Sequence, residues 1–342
     1  MIAHSCTQTG LSETFREIFN FEGSEFYTVD LPGIEGLEFG DLMIRVSDAV
    51  PIGIMRDGKI RINPPADSRL LDSDRVVVFA EENDSAKLEP VDQEYVPTEQ
   101  TIQPVNTENA TNTVIIGHNE TLSIILYELP KNVSYVYLAD QRINEEEKDE
   151  IELVASNRNL QLEYFRGNTH SEKTLLQLAQ MAEHIVILSD HDKDPEEADM
   201  EAIFLLLNLR DLRSRFGFDF NITVEMQKEH NQKLVGKGDH TDFLVASSMS
   251  SLILAQLAES PELIDVFKEI LSNEGNELYL KSVKQMNLIG SYSVRDLRRI
   301  MLNEGYILIG HLDADKYSRF NLPLNEAILL SEADNLIVLG QN

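Results

Sequence analysis

The sequence predicts an α/β protein: one parallel-sheet domain joined to two α+β lobes of a common design. Three observations predict it. Phe15-Arg-Glu-Ile-Phe-Asn-Phe-Glu-Gly-Ser-Glu-Phe-Tyr27 returns 252 residues later as Phe267-Lys-Glu-Ile-Leu-Ser-Asn-Glu-Gly-Asn-Glu-Leu-Tyr279, with seven of thirteen positions identical. Strand-like and helix-like runs alternate from Thr113 onward, the pattern of a parallel sheet with crossover helices. Between the first lobe and that alternation, residues 81–112 carry eight acids, one base and Pro90, Pro97 and Pro104, which reads as an exposed linker.

The first lobe spans 1–80. It begins with a helix and leads to strand-like runs at 50–54 and 75–79, separated by the turn signals Arg56-Asp-Gly58 and Asn63-Pro-Pro65. The copy continues in the same order, through 306–310 and Leu329-Leu-Ser-Glu-Ala-Asp334 to 335–339, so the repeat is a whole lobe. At the same offset, residues 2–6 fall on 254–258, inside a helix. The first unit is therefore expected to lack the half that occupies 113–240 in the second.

From 113 to 240 the elements follow in register. Val114-Ile-Ile116 is a strand ending at Gly117, 122–129 a helix, 133–138 a strand ending at Asp140, and 145–156 a helix. Strand 160–165, helix 171–181, strand 184–188, helix 195–216 and strand 221–225 complete the alternation. A strand, a glycine turn and an acid at the tip of the next strand outline a Rossmann-like half, in which ligands sit at the carboxyl ends of the strands. Gly117, His118, Asn119, Asp140, Gly167, Asn168, Ser189, Asp190 and Glu225 all fall on that edge. We take Gly117, His118, Asn119, Asp140, Asn168, Asp190 and Glu225 as the candidate ligand-binding residues.

The phosphate chemistry of that edge is degenerate. A dinucleotide site needs G-x-G-x-x-G, and Gly117-His-Asn-Glu-Thr-Leu122 keeps only the first glycine while Glu120 adds a carboxylate near the phosphate position. A nucleotide is accordingly not expected. No catalytic residues are assigned: Asp190-His-Asp-Lys-Asp194 reads as a polar loop after a strand, and Ser247-Ser-Met-Ser-Ser251 lacks the glycines of a nucleophile elbow. Residues 241–271 read as a helix from Thr241 to Ala258, a turn at Glu259-Ser-Pro-Glu262 and a second helix, forming an assembly element. Residues 272–342 make the second lobe.

Composition bounds the function. Fifty-nine acids against 29 bases give a net charge of -30, which repels nucleic acid and attracts cations. The single cysteine, Cys6, excludes an internal disulfide framework, and no run of about 18 apolar residues exists to cross a bilayer.

The sequence resembles the RCK (regulator of conductance) domains of the CASTOR/POLLUX ion channels. The strand-glycine start, the acid after the second strand, Gly167-Asn168 after the third, Asp194-Pro-Glu-Glu-Ala-Asp-Met-Glu-Ala-Ile-Phe-Leu-Leu-Leu-Asn-Leu-Arg-Asp211 and Thr223-Val-Glu-Met226 look like an RCK Rossmann half. Gly53-Ile-Met-Arg-Asp-Gly-Lys-Ile-Arg-Ile-Asn-Pro-Pro65 with Leu71-Asp-Ser-Asp-Arg-Val-Val-Val78 looks like an RCK carboxy-terminal (Trk-type) lobe. The repeated phrase is similar in particular to CASTOR/POLLUX.

The resemblance implies the cytosolic gating-ring portion of a cation channel, on the cytoplasmic face of a membrane. It implies a membrane pore domain upstream in the same polypeptide, a homo-oligomeric ring with a tetramer in the full channel, and calcium as the regulating ion. No acids are assigned to that calcium. A soluble nicotinamide-dependent oxidoreductase and a separate RCK subunit docking onto a transporter are the alternatives.

Overall fold

A computed structural model of the chain describes residues 1–20, 23–92, 95–97, 100, 102, 110–140, 142–236, 241–272 and 275–341. The chain forms two compact units, one of residues 1–16 and 106–251, the other of 17–105 and 252–342.

Chain order begins with helices α1 (Ile2–Ser5) and α2 (Leu11–Phe19), then β1 (Glu25–Val29), α3 (Phe39–Arg45), β2 (Val46–Ser47), β3 (Ala49–Arg56), β4 (Lys59–Ile62), β5 (Arg75–Ala80) and β6 (Lys87–Leu88). Strands β1, β5, β3 and β4, in that spatial order, make an antiparallel sheet.

The first unit is built on β7 (Thr111–Ile116), α4 (Leu122–Glu128), β8 (Val133–Ala139), α5 (Glu145–Asn157), β9 (Gln161–Tyr164), α6 (Glu172–Met181), β10 (His184–Ile187), α7 (Pro195–Phe216), β11 (Asn221–Glu225), α8 (Glu229–Val235) and β12 (Thr241–Leu244). Its six strands run parallel in the order β12-β11-β10-β7-β8-β9. The chain winds outward from β7 through β8 and β9, then crosses to β10 and winds the other way. The switch point between β7 and β10 is where such sheets open a crevice. The strands are apolar because both faces are covered: Leu175, Leu206 and Val224 lie in the core on one side, Cys6, Leu126 and Val136 in that on the other. Long helix α7 carries its own punctuation, with Asp194 Oδ1 accepting from Glu196 N, Pro195 in the first turn and Gly217 closing the end at φ 71°.

The structure corrects the sequence reading at 241–258. Thr241–Leu244 is the sixth strand, paired with β11, and helix α9 (Ala246–Glu259) begins after it. The reason is tertiary: a four-residue segment takes the edge of an existing ladder, and the Asp242 carboxylate accepts from Gly10 N at 2.8 Å and Ser12 N at 3.2 Å at the start of α2.

The second lobe follows a 3-10 turn and α10 (Ile264–Leu271). It comprises β13 (Glu277–Ser282), α11 (Val283–Met286), β14 (Gly290–Ser293), α12 (Val294–Asn303), β15 (Tyr306–Leu312), β16 (Ser318–Phe320), β17 (Ala327–Leu330) and β18 (Asn335–Gly340). Its sheet order, β13-β18-β15-β16, matches that of the first lobe strand for strand. Tyr27 and Tyr279 occupy the third position of β1 and β13, opposite Val78 and Val338. The irregularities match too: β3 slips register at Pro51/Gly53 and β15 at Leu308/Gly310. A β-carbon would lie 2.5 Å from Arg61 O at Gly53 and 2.4 Å from Arg319 O at Gly310, so both bulges need glycine for close backbone approach.

Both lobes belong to one unit and share a core. Phe26 meets Phe79 at 5.1 Å and Phe267 at 5.8 Å between ring centroids, and Phe79 meets Phe320 at 5.9 Å. Helices α3 and α12 pack together. At that junction Arg298 is fully buried and donates to Val46 O at 3.0 Å and Leu322 O at 3.3 Å. Val46 caps the carboxyl end of α3, so the cation meets the negative end of the helix dipole. Burial lowers the Arg298 pKa to about 10, and the group stays charged at neutral pH.

The stretch 81–112 is less exposed than its composition predicts. Strand β6 pairs with β2, Ile102 is buried among Val283, Leu288 and Val294, and Tyr95 Oη donates to Asp296 at 2.7 Å while Arg295 pairs with Asp92 at 2.9 Å. Single apolar and charged anchors in an acidic background leave no periodicity to read. Residues 93–94, 98–99, 101 and 103–109 of that stretch lie outside the described residues.

Candidate functional site

The crevice opens at the carboxyl ends of β7, β8 and β10. Gly117 ends β7 at φ 96°, and a β-carbon there would lie 2.7 Å from Leu188 O. The glycine is thus required by the neighbouring strand, before any ligand is considered. A cavity of about 400 Å³ lies beside it, bordered by Gly117, Asp140, Asn168, His170, Asp190 and Lys193.

Arg142 spans this cavity. Its guanidinium reaches Asp140 at 2.7 Å, pairs closely with Asp190, and donates to His118 O at 3.3 Å. The hydrogen bond that Arg142 donates to Asp140, followed by the charges of both carboxylates, outweighs burial and raises the Arg142 pKa. Lys193 reaches Glu201 at 2.6 Å and Asp190 at 3.7 Å. The acids of the crevice are therefore already matched with cations, and Arg142 joins the end of β8 to the end of β10.

A second cleft of about 370 Å³ lies on the other side of Asp190, bordered by His118, Asn119, Glu120, Glu147, Asp190 and His191. Asn119 organises it from below. Its Nδ2 donates to Ser189 O at 2.9 Å and Glu225 Oε2 at 2.8 Å, while its Oδ1 accepts from Thr121 N at 3.0 Å and Thr121 Oγ1 at 2.7 Å. Glu225, 1% exposed at the end of β11, also accepts from Ser189 N at 3.1 Å. Burial pushes its carboxyl above the ordinary range against the pull of these donors.

The seven residues chosen from the sequence separate accordingly. Gly117, Asp140, Asn168 and Asp190 border the larger cavity, together with Gly167. His118 and Asn119 border the second cleft, which shares Asp190, and Glu225 is buried in the hydrogen-bond network with Ser189. Arg142 and Lys193 are not among them, and His191 was read only as part of a polar loop. Strand-end logic finds residues at the tips of strands, whereas these three sit three to six residues beyond the ends of β8 and β10 in the following loops. Among the described residues, no three His, Cys, Asp or Glu side chains converge to hold a metal ion, and no helix is long and apolar enough to cross a membrane.

Comparison with known proteins bears on this architecture. Residues 1–96 match a sequence family described as Castor and Pollux, part of voltage-gated ion channel. The chain is similar in sequence to plant CASTOR and POLLUX channels. It is 25% identical over 320 residues to the probable ion channel POLLUX of Oryza sativa subsp. japonica, covering 81% of this chain and 33% of that protein. It is 25% identical to the probable ion channel CASTOR of the same plant, covering 88% and 39%, and 26% identical to the ion channel DMI1 of Medicago truncatula, covering 80% and 36%. The chain thus spans about a third of the length of these curated relatives. In fold it matches the human SLO3 gating ring with a TM-score of 0.61 at 12% identity, over 96% of this chain and 68% of that one. The chain thus shares the fold of that gating-ring chain.

Proposed function

We propose that this chain is a cytosolic regulatory portion of a cation channel, converting ligand or ion binding at the strand-end crevice into pore gating. The observation that carries this reading is Arg142. It bridges the two strand ends on either side of the switch point, so anything that competes for Asp140 or Asp190 alters how those ends are held. A ligand drives such a change only through its differential affinity for the two arrangements. Similarity to plant ion channels and the gating-ring fold support the regulatory reading over an enzymatic one. So does the pairing of the crevice acids with Arg142 and Lys193.

The pyrophosphate of NAD is not expected in this crevice. Thr121 N, in the turn where phosphate would bind, is taken by Asn119 Oδ1, and Glu120 follows that asparagine. Calcium remains the regulating ion of this proposal, on charge and similarity. A ligand bound a thousandfold above its Kd adds about 4 kcal/mol of stability, which a melting curve resolves readily. Calcium at about 1 mM is expected to raise the melting temperature and NAD at the same concentration to leave it unchanged. Stabilisation by NAD alone would reverse the assignment.

Assembly into a homo-oligomeric ring, with a pore domain in the same polypeptide, belongs to this proposal. Leu254 on α9 is 66% exposed, an apolar residue suited to a symmetric partner. Light scattering is expected to find at least a dimer, and Leu254→Glu to dissociate it without changing the melting temperature by more than about 2 °C. A monomeric parent chain rejects this interface.

A further inference from the structure

His191 stands between two carboxylates, one at each ring nitrogen. Nδ1 is 2.8 Å from Glu120 Oε1, in the segment between β7 and α4, and Nε2 is 3.4 Å from Glu225 Oε1 at the end of β11. A neutral imidazole carries a single proton. Placed on Nδ1, it leaves the Nε2 lone pair facing Glu225; placed on Nε2, it leaves the Nδ1 lone pair facing Glu120. Asn119 offers no relief, because its two amide protons go to Ser189 O and Glu225 Oε2 although its Nδ2 lies 3.4 Å from Nε2. Both contacts are favourable only when the imidazole is doubly protonated or when Glu225 itself carries the second proton. Glu225 is 1% exposed, its Oε1 accepts no hydrogen bond from the described residues, and His191 Nε2 is the ring nitrogen that faces it.

We propose that His191 and Glu225 form a proton-operated clasp that ties the loop after β10 to β11 and to the segment before α4. The clasp closes when the pair holds one extra proton and loosens when that proton leaves. The remaining charges around it favour the closed form. Glu147 and Glu150 of α5 border the same cleft, as do Asp190 and Asp192 on the loop of His191 itself. The opposing cations are engaged elsewhere: Arg142 with Asp140 and Asp190, Lys193 with Glu201, and His118 lies 3.8 Å from Glu147. The loop that the clasp holds also carries Asp190 and Lys193 of the larger crevice, which gives protons a route to that site. The clasp itself stands whatever ligand, if any, the crevice takes.

The direction of the pH effect follows from both partners. Burial lowers the His191 pKa, but Glu120 and Glu225 outweigh it and the net value lies above the ordinary 6.5. Such a group contributes stability that is fully present below about 6.5 and disappears as pH rises through the raised folded value. The raised Glu225 carboxyl acts in the same sense, since the folded state again binds the proton more tightly. The loop is therefore held most firmly on the acid side of neutrality and released on the alkaline side.

The test uses the intact chain and a histidine NMR titration from about pH 5 to about pH 9. The His191 resonance is expected to titrate above the ordinary imidazole range. Glu120→Gln, an exposed change that leaves the fold alone, is expected to lower its midpoint. Glu225→Gln is expected to lower it as well, because the amide can donate to a neutral Nε2. In parallel, His191→Gln is expected to reduce the melting temperature by roughly 2–4 °C near pH 5.5 and by nothing measurable near pH 9. A His191 midpoint at or below the ordinary value, indifference to Glu120→Gln, or a pH-independent penalty for His191→Gln would each overturn the clasp.

Discussion

Asp199→Ala is expected to destabilise the parallel-sheet unit by about 3 kcal/mol, because it removes the shared, fully buried acceptor of three donors at once. Asp199 lies on α7 and is 0% exposed. Its carboxylate accepts from Gln227 N at 2.8 Å, Lys228 N at 2.9 Å and Asn231 Nδ2 at 2.9 Å. Two of those donors lie just before α8 and the third is a side chain of its first turn, so one carboxylate pins the start of that short helix to α7. Removal of the carboxylate leaves the two partly buried backbone amides without this acceptor. Asp199→Asn keeps one acceptor oxygen but turns an NH2 toward a donor, and a loss of about 1–2 kcal/mol is expected. Urea denaturation measures both, and hydrogen exchange at 227–231 should accelerate in the same order. A loss below about 1 kcal/mol for the alanine variant would show that water replaces the carboxylate.

Gly310→Ala is expected to cost about 3 kcal/mol, the upper end of the range for overpacking. The added methyl would sit 2.4 Å from Arg319 O and 3.1 Å from the Phe320 ring, and the first of these neighbours is backbone. Relief requires β15 and β16 to separate, which breaks their ladder at the bulge. The equivalent change at Gly53 faces Arg61 O at 2.5 Å and is expected to behave alike. Gly23→Ala, where nothing lies within 4 Å, should stay within about 0.5 kcal/mol. Equal costs at Gly310 and Gly23 would refute the close-approach argument and with it the structural equivalence of the two bulges.

The repeat that carries those two glycines is legible in the sequence. The alignment that pairs Tyr27 with Tyr279 rests on local spacing, and it returned two sheets of the same strand order because hydrophobic period and turn residues are encoded within each lobe. The same logic placed Gly117, Asp140, Asn168 and Asp190 around one crevice, since strand ends in a parallel sheet lie on one edge. It did less well with Glu225, whose place at a strand end is the same but whose side chain turns into the interior.

Local pattern specified the elements of this protein, the duplication of its lobes and the edge on which its crevice opens, because each depends on residues a few positions apart. Tertiary packing chose the partners. It made Thr241–Leu244 a strand by offering it the free edge of β11, and it buried Ile102 in the second lobe. It joined the two lobes through contacts such as Arg298 with Val46 O and Asn63 with Asn276, 252 and 213 residues apart. It also set His191 between Glu120 and Glu225, 71 residues away on one side and on a different strand on the other. A charged side chain on a loop looks the same in sequence whether it is solvated or clasped; only the groups brought against it in three dimensions decide its protonation, and those groups come from distant parts of the chain.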